Sequence, residues 1–399
     1  MRSLNVNLDS TMAKQKLGRK LVKGQVGGVL TDKEWAALQP FDLLDLEDDH
    51  GGLETFKAGD DVTLVHGTPT PQQVAKYRLQ DYWVGKIQEI RGDAEKGEAW
   101  VKLNWYYLSS DPQLKKHIPA FQPSPGATFE LLYSHHCESI SVADICGKIQ
   151  VLTFREDDPD QPPIPPETFF CRYYFDIDGG FSILQYLKAP DVDPTTLSKG
   201  KICTVRCTLC AHSYYPEEPD LDEAQRWCPA PTCRRGFHHG CLQDHRSLDL
   251  QKNDSDDEDS DVDMDDDTLT MDELVRARLT NHPDGDPTTN GLITLPSLKT
   301  LSALIPEPLL LLAAQPLVRG GVDYGIAGNL AAVSAARRLV LKHLLADADG
   351  DGDGDVDLEN WGAQPVFRDW LDAIVEPLDL GTSLYLPPLI KCPNCERAI

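Results

Sequence analysis

The chain has 399 residues, with 64 acidic against 38 basic side chains and a net charge of −26. That balance argues against direct DNA or RNA binding, which needs clustered Lys and Arg to neutralise phosphate; it favours a basic partner. Hydrophobic content of 41% with seven Trp supports cores in two or three domains, while 29 Pro and 29 Gly predict much irregular chain beside them.

The N-terminus runs through Asn, Asp and Lys without an apolar stretch, so it reads as no secretory signal. Residues 1–52 are mixed and show no clear period. Their basic cluster, Lys14, Lys16, Arg19, Lys20 and Lys23, reads either as a nuclear-targeting signal or as a solvated terminus. Short runs rich in aromatic and β-branched residues follow: Asp61–Val65, Tyr82–Ile90, Ala99–Tyr107, Thr128–Tyr133, Lys148–Phe154 and Phe169–Ile177. Turn residues at 67–71, 92–97, 119–126 and 157–166 separate them, which predicts an antiparallel barrel or sandwich. With a period of two, Val101, Leu103, Trp105 and Tyr107 share one strand face. Core packing is the plain reading of such a stripe.

Residues 200–245 are rich in Cys and His. The acidic run 254–267, with ten Asp and Glu, cannot pack because like charges repel. Ser255 and Ser260 within it are candidate phosphorylation sites or simply part of a solubilising linker. Thr270 with Glu273 forms a helix-opening capping box. The most apolar stretch, Leu301–Val318, contains Pro306, Glu307, Pro308 and Pro316, which exclude a membrane-spanning helix; the chain reads as soluble and intracellular. Helical patterning returns from Asn329 to Leu345. Asp349, Asp351 and Asp353 with Gly354 then imitate the start of a calcium loop, but position twelve is Asn360 and Glu359 sits one residue early, so this reads as a solvated loop.

The eleven cysteines of a reduced intracellular chain suggest metal rather than disulfides. In order come Cys207 and Cys210, Cys228 and Cys233, His238 and Cys241, then Cys392 and Cys395. Close pairs place two ligands on one turn, and eight ligands make two closed four-coordinate zinc sites with no open position for a catalytic water. The last pair arrives about 150 residues late. Stretching the loop that far costs about 2 kcal/mol of closure entropy, whereas a structural zinc contributes about 10–16 kcal/mol. Three alternatives stay open: His239 in place of His238, Cys203 in place of Cys207, and Cys392 and Cys395 as unrelated thiols. Cys137, Cys146 and Cys171 read as cysteines of the strand-rich core.

The ligand order resembles the plant homeodomain (PHD) finger. The resemblance implies that Cys207, Cys210, His238 and Cys241 hold one zinc, and that Cys228, Cys233, Cys392 and Cys395 hold the other. Phe237 and Leu242 fit that family, but Gly236 stands where it often has Trp. Five landmarks, YWVGKI (82–87), WVKLNWYY (100–107), YSHHCES (133–139), GKIQVLTF (147–154) and FFCRYYFDI (169–177), resemble the bromo-adjacent homology (BAH) domain. That resemblance implies an all-β barrel whose histone-reading members cage a methylated lysine. The matching positions here are Trp83, Trp105 and Tyr107, with His136 and Glu138 beside the peptide groove.

The expected architecture is therefore multidomain: a variable segment 1–52, a BAH barrel 53–190, and a cross-braced two-zinc PHD-like finger from 198–245 plus 385–399. An insertion at 246–384 interrupts the finger, with an acidic linker 253–267, a helical lobe 268–345 and an Asp/Gly loop 346–360. The expected function is that of a nuclear chromatin reader, resembling fungal proteins that join these two modules. It docks a histone tail or nucleosome, works within a chromatin-modifying complex in transcriptional regulation or silencing, has no membrane partner and performs no catalysis. A RING-type ubiquitin ligase also cross-braces two zincs, but RING places His fourth and here His238 is fifth. A non-reading scaffold is the other alternative.

Overall fold

A computed structural model describes residues 3–6, 30–47, 52–65, 71–111, 114, 127–156, 158–176, 182–185, 206–217, 220–230, 232–245, 276–279, 298–321, 324–349, 358, 360–368, 390–397 and 399. The basic cluster at 14–23, Cys203, the acidic run 254–267, the Thr270 capping box and residues 350–357 of the Asp/Gly loop lie outside them. The chain divides into two compact units: Met1–Phe154 with Pro166–Thr204, and Arg155–Pro165 with Val205–Ile399.

The first unit is built on strands. In chain order they are β1 (Ser3–Val6), β2 (Gln39–Phe41), β3 (Leu43–Glu47), β4 (Leu53–Lys57), β5 (Asp61–Leu64), β6 (Trp83–Asp93), β7 (Glu98–Leu108), β8 (Glu130–Ser141), β9 (Ile145–Ile149), β10 (Leu152–Thr153), β11 (Phe170–Asp176) and β12 (Ser182–Gln185). The main sheet runs β10-β11-β8-β7-β6-β5-β9, with β2 on β6 and β12 on β11. The two ends of this path, β9 and β10, are separated by only two residues, so the sheet curls round on itself as the expected barrel does, although no pairing closes the seam among the described residues. β1, β3 and β4 make a smaller sheet. Residues 1–52 thus contain structure that their composition hid. The helix α1 (Asp32–Ala37) is opened by a Thr31/Glu34 capping box, and β2 carries the main sheet upstream of residue 53.

Odd residues of β7 face the core as the period of two requires. Val101 and Leu103 are fully buried, and Trp105 retains 7% exposure among Leu44, Phe56, Val62, Ile87 and Ile90. The parallel register Phe170↔Glu130 brings Arg172 to Glu130, and both side chains are buried. Arg172 also lies over the Tyr173 ring at 4.6 Å. A buried pair of this kind costs desolvation, but losing one partner costs more, because the remaining charge is left uncompensated.

The second unit contains β13 (Gln225–Trp227), β14 (Gly236–His238), β15 (Val318–Arg319) and the helices α3 (Leu298–Leu304), α4 (Glu307–Ala313) and α5 (Leu330–Asp349); the first unit's α2 (Pro71–Val74) precedes them. α5 is rich in Ala and Leu without Gly or Pro, and Leu330, Val333, Ala336, Arg337 and Val340 recur on its buried stripe. Against it lie Leu309, Leu310, Leu312 and Ala313 of α4. The unpaired carbonyls at the end of α4 take buried guanidinium donors. Arg337 Nε donates to Ala313 O at 2.8 Å, Arg337 Nη2 to Gln315 O at 2.7 Å, and Arg278 Nη1 to Ala314 O at 2.9 Å. Trp227 of β13 belongs to this same core. The insertion is therefore packed on the cysteine-rich segment rather than standing apart.

Residues 155–165, expected inside the β domain, fold with the second unit. Arg319 donates to the carbonyls of Glu156 and, at 3.4 Å, Asp158, while Arg338 pairs with Asp160 at 3.2 Å. No helix among the described residues is long and apolar enough to cross a membrane.

Candidate metal centres and aromatic face

The two sets of candidate ligands come together in the grouping that the resemblance implied. Cys207, Cys210, His238 and Cys241 form one cluster and Cys228, Cys233, Cys392 and Cys395 the other, with all ligand atoms of each set within 4.8 Å of one another. His239 belongs to neither cluster. Its Nδ1 accepts from Arg226 Nε at 3.1 Å, and Gln243 lies 2.8 Å from its Nε2.

Backbone geometry explains how close pairs become chelating turns. Ala211 N bonds Cys207 O at 2.9 Å, and Cys207 N bonds His212 O at 2.9 Å. Glu396 N bonds Cys392 O at 2.8 Å, and Cys392 N bonds Arg397 O at 2.8 Å, so the late pair repeats the first turn. The residue after the second cysteine is left-handed in each case, with φ of 62° at Ala211 and 60° at Glu396; Arg234 after Cys233 has φ 45°. Non-glycine residues in that region cost about 1–2 kcal/mol each, which something at the site must offset.

The donor sets fit a tetrahedral metal. Cys228 and Cys395 Sγ are 3.5 Å apart, and Cys233 and Cys392 Sγ are 3.7 Å apart. Four sulfurs at about 2.3 Å from zinc would lie about 3.8 Å from each other. In the first cluster His238 Nδ1 faces Cys210 Sγ at 3.3 Å and Cys241 Sγ at 3.9 Å. Its Nε2 donates to Ser213 O at 3.3 Å, the outer contact that orients a ligating imidazole.

One thiol of each set is favoured as thiolate. Burial opposes ionisation of Cys207, but His238 and the N–H groups of Cys210, His238 and Leu209 hold it down at about 6. The bond with Cys228 holds Cys392 down at about 5, against burial and with help from the N–H groups of Asn394 and Cys395. The partner thiols go the other way: burial raises Cys241 to about 12 and Cys233 to about 11. A dication is what such a crowd of sulfurs needs to ionise together. Phe237, Leu242, Ala230, Ile390 and Ile399 pack around the sulfurs.

Gly236 has a steric reason. A Cβ there would stand 2.3 Å from Gln225 Nε2 and 2.4 Å from its Cδ, and Gln225 is fully buried. A larger residue at 236 has no room while Gln225 fills that space.

In the first unit the expected aromatic residues converge around the end of β7. Trp83, 46% exposed, meets Trp105 edge-on with ring centroids 5.3 Å apart. Trp105 Nε1 donates to Glu138 Oε2 at 3.0 Å, and Glu138 Oε1 lies 3.6 Å from His136 Nε2. His136 Nδ1 accepts from the Tyr107 hydroxyl at 2.5 Å and its ring stacks on Tyr107 at 6.2 Å. A bulge sets this up. The β7–β8 register slips between Asn104 and Tyr106, and Ser134 Oγ pins it by donating to Trp105 O at 2.9 Å and accepting from His136 N at 3.2 Å. Burial, with Glu138 and Asp111 adding negative charge, pushes the Tyr107 hydroxyl up to about 12.

Two features escaped the sequence. Phe175 packs edge-on against Tyr107 at 5.4 Å, because β11 lies parallel beside β8. On the opposite face Tyr106 donates to Asp61 at 2.9 Å, Lys86 pairs with Asp61 at 2.9 Å, and Asn104 donates to the Tyr133 hydroxyl at 2.7 Å. The even residues of β7 carried that signal.

Residues 54–181 match the family model of the BAH domain. The match identifies a BAH domain, a module of chromatin-associated proteins, within these residues; of them, 155–165 cluster with the second unit. Among solved structures, the crystal structure of the yeast Rsc2 BAH domain is similar at 16% identity and a TM-score of 0.24, covering 35% of this chain and 53% of that one. The chain therefore spans about half the length of that structure. No curated protein matches the chain.

Proposed function

We propose that this protein is a nuclear chromatin reader, a binding protein rather than an enzyme, whose BAH domain takes a histone tail with a methylated lysine at Trp83, Trp105 and Tyr107. The observation that carries the reading is the exposed Trp83 ring set edge-on to Trp105, with the Glu138 carboxylate bonded to the same indole. A methylated ammonium recognises ring faces through cation–π attraction and desolvation, at about 0.5–2 kcal/mol per ring. The carboxylate adds attraction for the cation, and His136 fixes the Tyr107 hydroxyl. The acidic runs supply non-specific attraction to basic tails.

In the second unit the same reading assigns one zinc to Cys207, Cys210, His238 and Cys241, and one to Cys228, Cys233, Cys392 and Cys395, in a PHD-like finger. Zinc here is structural: four protein ligands each leave no position for a substrate. The finger closes the chain around its insertion.

A scaffold without reading activity is the second interpretation, favoured by the burial of Trp105 at 7% exposure. A histone-tail peptide array probed with the full chain separates the two. A reader retains methylated lysine peptides above their unmodified counterparts; a scaffold shows no such preference.

A further inference from the structure

We propose that β15 is a built-in strap that fills the strand-accepting edge of β13, so that the second unit does not recognise a peptide by strand addition. An unpaired strand edge recruits other strands, and short peptides are commonly read that way. In this sheet the order is β14-β13-β15, and the third strand comes from the insertion. Trp227 N donates to Leu317 O at 2.9 Å, with Gln225 opposite Arg319 and Arg226 opposite Val318.

The strap is held on its outer side as well. Asn329 is buried and reads the strap's backbone three times. Its Oδ1 accepts from Val318 N at 2.8 Å, its Nδ2 donates to Pro316 O at 2.9 Å, and its own N–H donates to Val318 O at 3.0 Å. Gly328 has φ +71°, and a Cβ there would stand 1.9 Å from Val318 O, so only glycine lets the backbone press this close. Arg319 is fully buried with its guanidinium 4.8 Å over the Trp227 ring, a cation–π contact that fastens the strap's end. The far edge of the sheet is also taken by the chain itself, since Thr208 N meets Gly236 O at 3.4 Å and His238 N meets Cys207 Sγ at 3.4 Å. Both edges are closed within the chain. This conclusion stands on the second unit alone and does not depend on the aromatic face of the first.

Hydrogen exchange on the full chain tests it, with Trp83→Ala introduced to weaken binding at the first unit and unmodified core-histone tail peptides as the probe; protection is read at residues 225–227 alone. The Trp227 amide is expected to be protected, and the peptides to add no protection at residues 225–227. Asn329→Ala removes two side-chain bonds from the strap and should speed Trp227 exchange roughly tenfold or more. The Cys228 amide, bonded to Arg235 O at 2.8 Å within the finger, should hold. Asn329→Asp keeps the acceptor for Val318 but turns a carboxylate oxygen toward Pro316 O in a buried site, so it should speed Trp227 exchange at least as much as alanine does. Free-chain exchange at Trp227 in the protein with Asn329 intact would overturn the proposal. So would peptide protection at 225–227 in that protein, or unchanged Trp227 exchange in both Asn329 variants.

Discussion

Replacing Cys392 by Ser removes the sulfur that the second cluster holds most firmly as thiolate. That sulfur sits 3.7 Å from Cys233 Sγ, and its turn also places Cys395 against Cys228 at 3.5 Å. A structural zinc supplies about 10–16 kcal/mol, whereas a whole domain is stable by about 5–15 kcal/mol. Without that ligand, the closure between Cys233 and Cys392 falls to the core around Trp227 and Leu309 alone, and to Ile390 and Ile399 packing on a sulfur cluster no longer assembled. The expected outcome is a loss of at least one of two bound metal ions, measured by elemental analysis, together with rapid proteolysis within 205–399. Peptides from 54–154 should stay protected, because that core contains none of these cysteines. A Cys392→Ser protein that keeps two ions and its protease resistance would refute the assignment.

Gly236→Ala should destabilise the second unit by about 1–3 kcal/mol through overpacking against Gln225, with Gln225→Ala in the same chain recovering part of the loss in a denaturant titration. Glu130→Ala leaves the Arg172 guanidinium buried without its carboxylate, so unfolding of the first unit should become easier by about 3–5 kcal/mol. The raised Tyr107 hydroxyl gives an alkaline dependence: the folded state holds this proton more tightly than the unfolded chain, where tyrosine titrates near 10. Its contribution to stability is present below about pH 10 and is lost as pH rises toward 12; Tyr107→Phe should flatten that part of the curve.

How much was legible follows from the range of the signals. Metal ligands announce themselves by local spacing, and the C-x2-C spacing shared by Cys207–Cys210 and Cys392–Cys395 lets the late pair be recognised across the insertion. Alternation along 99–107 placed Trp105 and Tyr107 on one face but could not say how deeply Trp105 sits, since that depends on Leu44 and Phe56, from strands the sequence left unassigned. The strap was invisible for the same reason. Val318–Arg319 is two residues long, and its strand character comes from Asn329 and β13 rather than from its own composition. Residues 155–165 looked like a simple turn between strands because what holds them, Arg319 and Arg338, lies more than 150 residues away.

The depth of Trp105 also decides which variant is informative. Truncating a buried Trp costs about 3–5 kcal/mol of packing, so a Trp105→Ala protein would confound binding with folding. Trp83 is exposed and can be cut without opening the core. Affinity of the full chain and of Trp83→Ala for methylated and unmethylated histone-tail peptides is therefore the direct measurement. The methylated peptide should bind more tightly to the intact chain, and Trp83→Ala should weaken that binding about 2- to 30-fold, the worth of one cation–π wall, with a loss of stability no larger than the edge-on contact with Trp105, about 0.5–1.5 kcal/mol. Equal affinity for both peptides, or a Trp83→Ala protein that still prefers the methylated one to the same degree, would contradict the account.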